Sequence, residues 1–171
     1  MSKLEIITIP DPILRKVALP VERVDDALRR LADDMLETMY EAPGIGLAAP
    51  QVGVSRRLIV LDVSEREGEK HPLVMVNPEI VRLADEKGTY EEGCLSIPDV
   101  KVEIERPTLA RIRFLDRDGN EQEIDAEGLL ATAVQHEIDH LDGRLIIDFL
   151  SRLKRDIIVR RFKKQARTET A

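Results

Sequence analysis

The stretch from Gly128 to His140 constrains this chain most, because a single helical segment there must be both apolar and strongly polar. Gly128-Leu129-Leu130-Ala131-Thr132-Ala133-Val134 is apolar on nearly every side, so the helix that holds it is buried. Gln135-His136-Glu137-Ile138-Asp139-His140 follows without a break. At about 100° per residue, His140 lies roughly 40° around the helix from His136, and Glu137 about 100°. Two imidazoles therefore converge on one point with a carboxylate beside them, as H-E-x-x-H does for a metal ion and its water. A solvated helix face can carry the same letters by accident. Histidines that continue a buried apolar run need partners, and a metal supplies them.

The rest of the composition sets the frame. With 171 residues, 43% hydrophobic and 35% charged, the chain is expected to form a single globular domain, residues 1–171. Trp is absent and Tyr and Phe are few, so Leu, Ile and Val must fill the interior. No apolar run approaches the roughly 18 residues that span a bilayer. The start, MSKLEIITIPDPILRK, lacks a basic segment followed by an apolar one, and the single cysteine excludes an internal disulfide. These features predict a cytoplasmic protein without a membrane partner. Charge is unevenly spread: residues 151–171 hold eight Lys or Arg against Asp156 and Glu169, a net +6, leaving −13 on the remainder. Such a tail can engage a polyanion while the acidic body is repelled.

Pro10, Pro12 and Pro20 make the entry extended or turning. Asp25 caps a predicted helix from Asp26 to Tyr40, with Leu28, Leu31, Met35, Leu36 and Met39 at helical spacing, and Pro43 and Gly44 end it. The loop Gly44-Ile45-Gly46-Leu47-Ala48-Ala49-Pro50-Gln51 follows. Leu58 to Val63 reads as a buried strand, Ser64 to Pro72 as a polar surface loop, and Val74 to Val76 as strand again. Alternation over 100–105 and 110–115 predicts two more strands, the second returning through Asp116-Arg117-Asp118-Gly119-Asn120 to 121–125 as a hairpin. A helix is expected from Glu127 to about Leu141, stopped near Gly143. The basic tail should form a last helix with Leu150, Leu153, Ile157, Ile158 and Phe162 on its apolar face. Strands joined by hairpins before and after helices indicate an α+β fold.

A catalytic metal site wants three protein ligands and one open position. Asp142 and Asp148 are the nearest acidic candidates downstream. The one soft ligand is Cys94, in Glu92-Gly93-Cys94-Leu95-Ser96. A single cysteine is more often a small buried apolar residue, but beside Gly93, at a turn, it can reach a metal.

Three segments together carry a resemblance. Gly44-Ile45-Gly46-Leu47-Ala48-Ala49-Pro50-Gln51, Glu92-Gly93-Cys94-Leu95-Ser96 and Gln135-His136-Glu137-Ile138-Asp139-His140 resemble, in order, the three signature motifs of the peptide deformylase family. The likeness extends from Ile9-Pro10-Asp11 through Asp116-Arg117-Asp118-Gly119 to the basic terminal helix. It implies antiparallel sheets packed around a central metal-binding helix, with a C-terminal helix. It also implies removal of the N-formyl group from the first methionine of nascent polypeptides, releasing formate. The implied ligands are Cys94, His136 and His140, with water in the fourth position. The implied ion is one Fe²⁺ per chain, replaceable by Zn²⁺, Ni²⁺ or Co²⁺, which suits mixed S/N ligation.

By the same resemblance Glu137 is the general base and acid, while the Gln51 amide and the Leu95 backbone N–H face the oxyanion. Ile45, Gly46, Tyr90, Glu92, Gly93, Leu129, Thr132 and Ala133 fall on the peptide site, with Arg106 pairing Glu92 inside it. His71 is expected to be exposed and inert. The family also gives the basic helix a ribosomal role near the exit of the nascent chain, and a monomer is the expected state. Two other readings remain open on the residues alone. One is a metallopeptidase that cuts internal peptide bonds. The other is a non-enzymatic RNA-binding module with a structural zinc, which would need a fourth protein ligand.

Overall fold

A strand whose residues are apolar without alternation has to be covered on both faces, and Leu58-Ile59-Val60-Leu61 is such a strand. In the computed structural model, which describes residues 3–64 and 69–170, Leu58 and Val60 pack beneath one helix and Ile59 and Leu61 beneath another. The first helix is α1 (Asp26–Glu41), whose N-cap Asp25 accepts from the Leu28 N–H at 2.9 Å. Leu28, Met35 and Met39 of α1 meet Leu47, Leu58 and Val60. The second is α2 (Gly128–Leu141), whose Val134, Ile138 and Leu141 meet Ile59, Leu61, Met75, Ile112 and Phe114.

Between the two helices lies a five-stranded antiparallel sheet in the order β1-β2-β3-β6-β7. Its strands are β1 (Gly46–Ala48), β2 (Leu58–Leu61), β3 (Leu73–Leu83), β6 (Leu109–Leu115) and β7 (Glu121–Glu127). The hairpin at Asp116–Asn120 forms as predicted: Leu115 pairs with Glu121, and the Asp116 carboxylate accepts from the backbone N–H groups of Asp118 and Asn120. A separate antiparallel ribbon is made by β4 (Lys87–Cys94) and β5 (Ile97–Pro107). Its alternating residues Val102 and Ile104 pack with Ile97, Ile146, Ile147 and Phe162, and so join the ribbon to the C-terminal part of the chain. The last helix is α3 (Arg152–Thr170). The α+β reading stands.

Several sequence expectations shift. β1 and β4 fall where a loop or no element was predicted, and β3 runs well past Val76. The entry contains a short 3-10 turn at Pro12–Arg15. On α3, Ile158 and Phe162 face the core, but Leu153 is 72% exposed and Ile157 57%, so the predicted single apolar face is split into two. Of the Ser64–Pro72 loop, residues 65–68 lie outside the described residues. Among the described residues, no helix is long and apolar enough to cross a membrane.

α2 is fixed firmly at its C-terminal end. Arg57 donates to the Leu141 carbonyl at 3.0 Å and pairs with Asp142, so a cation sits where the helix dipole favours one. Gly143 then takes φ 76°, and a side chain there would meet the Arg15 carbonyl at 2.5 Å, so only glycine serves as the stop.

Candidate metal centre and cleft

Cys94 stands at the last position of β4, where the ribbon departs from regular pairing. Gly93 pairs with Lys101, but Cys94 pairs with Ile97, leaving Pro98, Asp99 and Val100 of β5 without counterparts. This bulge turns the end of β4 toward α2. There the Cys94 sulfur lies 3.3 Å from His140 Nε2. The His136 and His140 rings are 5.1 Å apart and tilted by 57°. One ligand atom from each of Cys94, His136 and His140 lies within 4.8 Å of the other two.

The chemistry of this donor set fits a divalent ion. His136 Nδ1 is 3.0 Å from Glu92 Oε1. A carboxylate accepts only, so Nδ1 carries the proton and Nε2 keeps its lone pair for a metal. Burial opposes charge on Glu92, yet His136 and Arg106 hold its pKa below the usual carboxylate value. Burial also opposes charge on His136, but Glu137, Cys94 and Glu92 crowd around it and push its pKa up. His140 is driven the other way, by burial first and by His136 second, and stays neutral as a ligand must. Its Nδ1 is buried with no partner among the described residues.

Glu137 is 4% exposed, and its Oε1 has no hydrogen-bond partner among the described residues. Burial pushes its pKa up to about 7, so the group can hold or release a proton near neutrality. Its other oxygen rests against Gly46, where an added Cβ would stand 2.5 Å from Oε2. Glycine at 46 is thus required by the close approach of β1 to the carboxylate. At Gly93 an added Cβ would meet the flexible end of Lys101, at 2.6 Å from Nζ.

Gln51 is buried at the end of the Gly44–Gln51 segment. Its Oε1 accepts from the Ala48 N–H at 2.9 Å, which turns the amide nitrogen toward Ser96 Oγ at 3.0 Å and Cys94 Sγ at 3.7 Å. Ser96, in the same five-residue segment as Cys94, is a partner that the sequence reading did not single out. Leu95 lies at the two-residue turn between β4 and β5 and packs its side chain over Gly44.

These groups meet at the floor of a cleft of about 850 Å³. All the residues expected on the peptide site line it: Ile45, Gly46, Tyr90, Glu92, Gly93, Leu129, Thr132 and Ala133. So do Gln51, Cys94, Leu95, His136 and Glu137, whereas His140 lies behind the wall. Ile45, Tyr90 and Leu129 are each about 40% exposed and form an apolar rim suited to an apolar side chain. Lys101 and Val100, from the bulged part of β5, line it as well, although the sequence reading gave them no role. The Glu92 carboxylate itself is turned to Arg106 and His136 rather than to the opening. His71 is exposed, with its ring 4.0 Å from Glu69.

A cysteine sulfur and two imidazoles converging on one point, with a buried carboxylate alongside and an open cleft above, define a metal-dependent hydrolase. The chain belongs to the polypeptide deformylase family, whose family model matches residues 3–156. Members remove the N-formyl group from nascent peptides. The chain is 60% identical over 166 residues to the peptide deformylase of Rhizobium meliloti, covering 97% of this chain and 95% of that one. It superposes on the crystal structure of peptide deformylase from Ehrlichia chaffeensis with a TM-score of 0.92, at 42% identity, covering 99% and 100% of the two chains. A class I type b peptide deformylase from Acinetobacter baumannii with Met-Ala-Ser bound is similar too, at a TM-score of 0.82 and 38% identity, covering 86% and 99%.

Proposed function

We propose that this chain hydrolyses the formyl–nitrogen bond of formyl-methionyl peptides with Cys94, His136 and His140 holding one divalent ion. The observation that carries this reading is the convergence of those three donors within 4.8 Å of one another, beside the buried Glu137 carboxylate. An ion held there would supply Lewis acidity toward the formyl oxygen and water. Glu137 takes a proton from the attacking water and delivers it to the amine nitrogen as the carbon–nitrogen bond breaks, leaving formate and a free N-terminus. The Gln51 amide nitrogen and the Leu95 N–H stand as donors to the oxygen that becomes anionic. Mixed thiolate and imidazole ligation suits iron or zinc, and the family likeness favours Fe²⁺ in the cell, with Zn²⁺, Ni²⁺ or Co²⁺ as substitutes.

The peptide is held as an added strand along the outer side of β1, an edge of the five-stranded sheet, with its methionine among Ile45, Leu129, Thr132 and Ala133. Gly46 and Gly93 lie next to its backbone, and Tyr90 and Glu92 complete the wall. That a relative from Acinetobacter baumannii binds Met-Ala-Ser supports a peptide beginning with methionine as the ligand. Residues 1–171 act as a single cytoplasmic, monomeric domain. Residues 151–171 form a basic appendage that docks on ribosomal RNA near the peptide exit.

Glu137→Ala tests the assignment. The variant should retain its metal while kcat on formyl-Met-Ala falls by about 10³-fold. Metal retention with undiminished turnover would remove Glu137 from the chemistry.

A further inference from the structure

Strand pairing does not join the elements that carry the three donors: Cys94 ends β4 of the ribbon, and His136 and His140 sit on α2. Something beyond the main chain must set the gap between thiol and imidazoles. On β5 the side chains of Val100, Val102, Ile104 and Arg106 are buried in alternation. Three of them are apolar, while the fourth places a guanidinium, 5% exposed, in the same row. Its Nε and one terminal nitrogen grip the two oxygens of Glu92 on β4 at 2.6 and 3.0 Å. Its other terminal nitrogen reaches Asp139 Oδ2 on α2 at 2.9 Å. Glu92 is in turn bonded to His136, and the Phe149 ring lies 5.0 Å from the guanidinium carbon.

Burying a cation between two carboxylates is often less stabilising than apolar packing of the same volume, so stability alone gives no reason for it. Geometric specification does, because a planar fork fixes distance and angle together. We propose that Arg106 is a positioning residue. With Asp139 it forms a strut between ribbon and helix that sets the separation of Cys94 from the histidines, and hence how firmly the cage grips a divalent ion. The proposal rests on the metal site described above.

The test loads wild type, Asp139→Ala and Arg106→Lys with Co²⁺ without oxygen. The thiolate-to-cobalt absorption band and the ligand-field bands are recorded, and Co²⁺ release to a chelator is timed. A wild type lacking the thiolate band would refute the metal site itself, and the strut with it. Given that band, Asp139→Ala should shift the spectrum and speed release by about 10-fold or more. Arg106→Lys, which keeps the charge and loses the fork, should do the same. The double variant should be no worse than the more severe single one, because both cut one strut. If Asp139→Ala melts at lower temperature yet keeps the wild-type bands and release rate, the ion pair is merely structural and the proposal is overturned. Asp139→Ala decides alone if Arg106→Lys does not fold.

Discussion

Two helices of this protein differ in nearly every physical respect. α2 buries ten of its fourteen residues, among them five polar or ionisable side chains, of which His136, Glu137 and His140 form or flank the candidate metal cluster. α3 has nineteen residues, and among its described side chains Phe162 alone is buried. One helix is held from all sides, so its groups are preorganised and small displacements matter. The other is anchored by one aromatic residue and a few half-buried neighbours, and presents a largely exposed, basic surface. On the proposed roles, chemistry falls to one helix and docking to the other, so a change in one should leave the work of the other almost untouched.

The contrast can be broken most severely at Gly46, which lies against α2. Gly46→Ala should displace the Glu137 carboxylate and lower kcat by about 100-fold, with the melting temperature as a control. A wild-type rate would mean that Glu137 does not need its observed position. On α3, Lys163→Gln with Lys164→Gln should flatten the dependence of rRNA binding on salt by about two in log–log slope. Hydrolysis of formyl-Met-Ala should not change in that variant, and an equal loss of both functions would erase the separation.

Asp33 on α1 offers a pH test away from both helices. Hydrogen bonds from Arg117 hold its carboxyl below the ordinary value of 3.8, and one of them measures 2.6 Å. The folded-state pKa is depressed, so the stabilisation is fully present above 3.8 and is lost as pH falls through the lower folded value. The melting-temperature gap between wild type and Asp33→Asn should therefore shrink on acidification in that range. The smallest effect is expected at the outward face of α3, where Leu153→Ala should change stability by no more than about 0.5 kcal/mol in chemical denaturation.

The same contrast explains what could be read from the sequence. α2 was legible because burial and function impose a pattern together: an apolar run flows into H-E-x-x-H. The strand at 58–61 and the hairpin at Asp116–Asn120 were legible for similar local reasons. β4 was not, because Lys87, Thr89, Tyr90 and Glu91 are exposed and leave no alternation to detect. β1 has three residues and is a strand only because β2 pairs with it. On α3 the spacing of Leu153 and Ile157 satisfied a helical pattern, yet no neighbour covers them among the described residues.

Of the site, Cys94 and the histidines followed from motif and resemblance. The contact of Arg106 with Glu92 was anticipated, but its contact with Asp139 needs two distant elements to meet, which local pattern does not encode. A signal was nonetheless available. Arg106 keeps the alternating phase of Val102 and Ile104, and an arginine on the inward side of a strand asks for partners.

The brevity of β1 has a consequence for what this protein can process. An outer border only three residues long, with its Ala48 N–H already given to Gln51, is too short to recruit a sister molecule and seed aggregation. On the proposed strand addition, a guest is gripped through main-chain groups that every residue possesses, so the handle is the same whatever side chains follow its first residue.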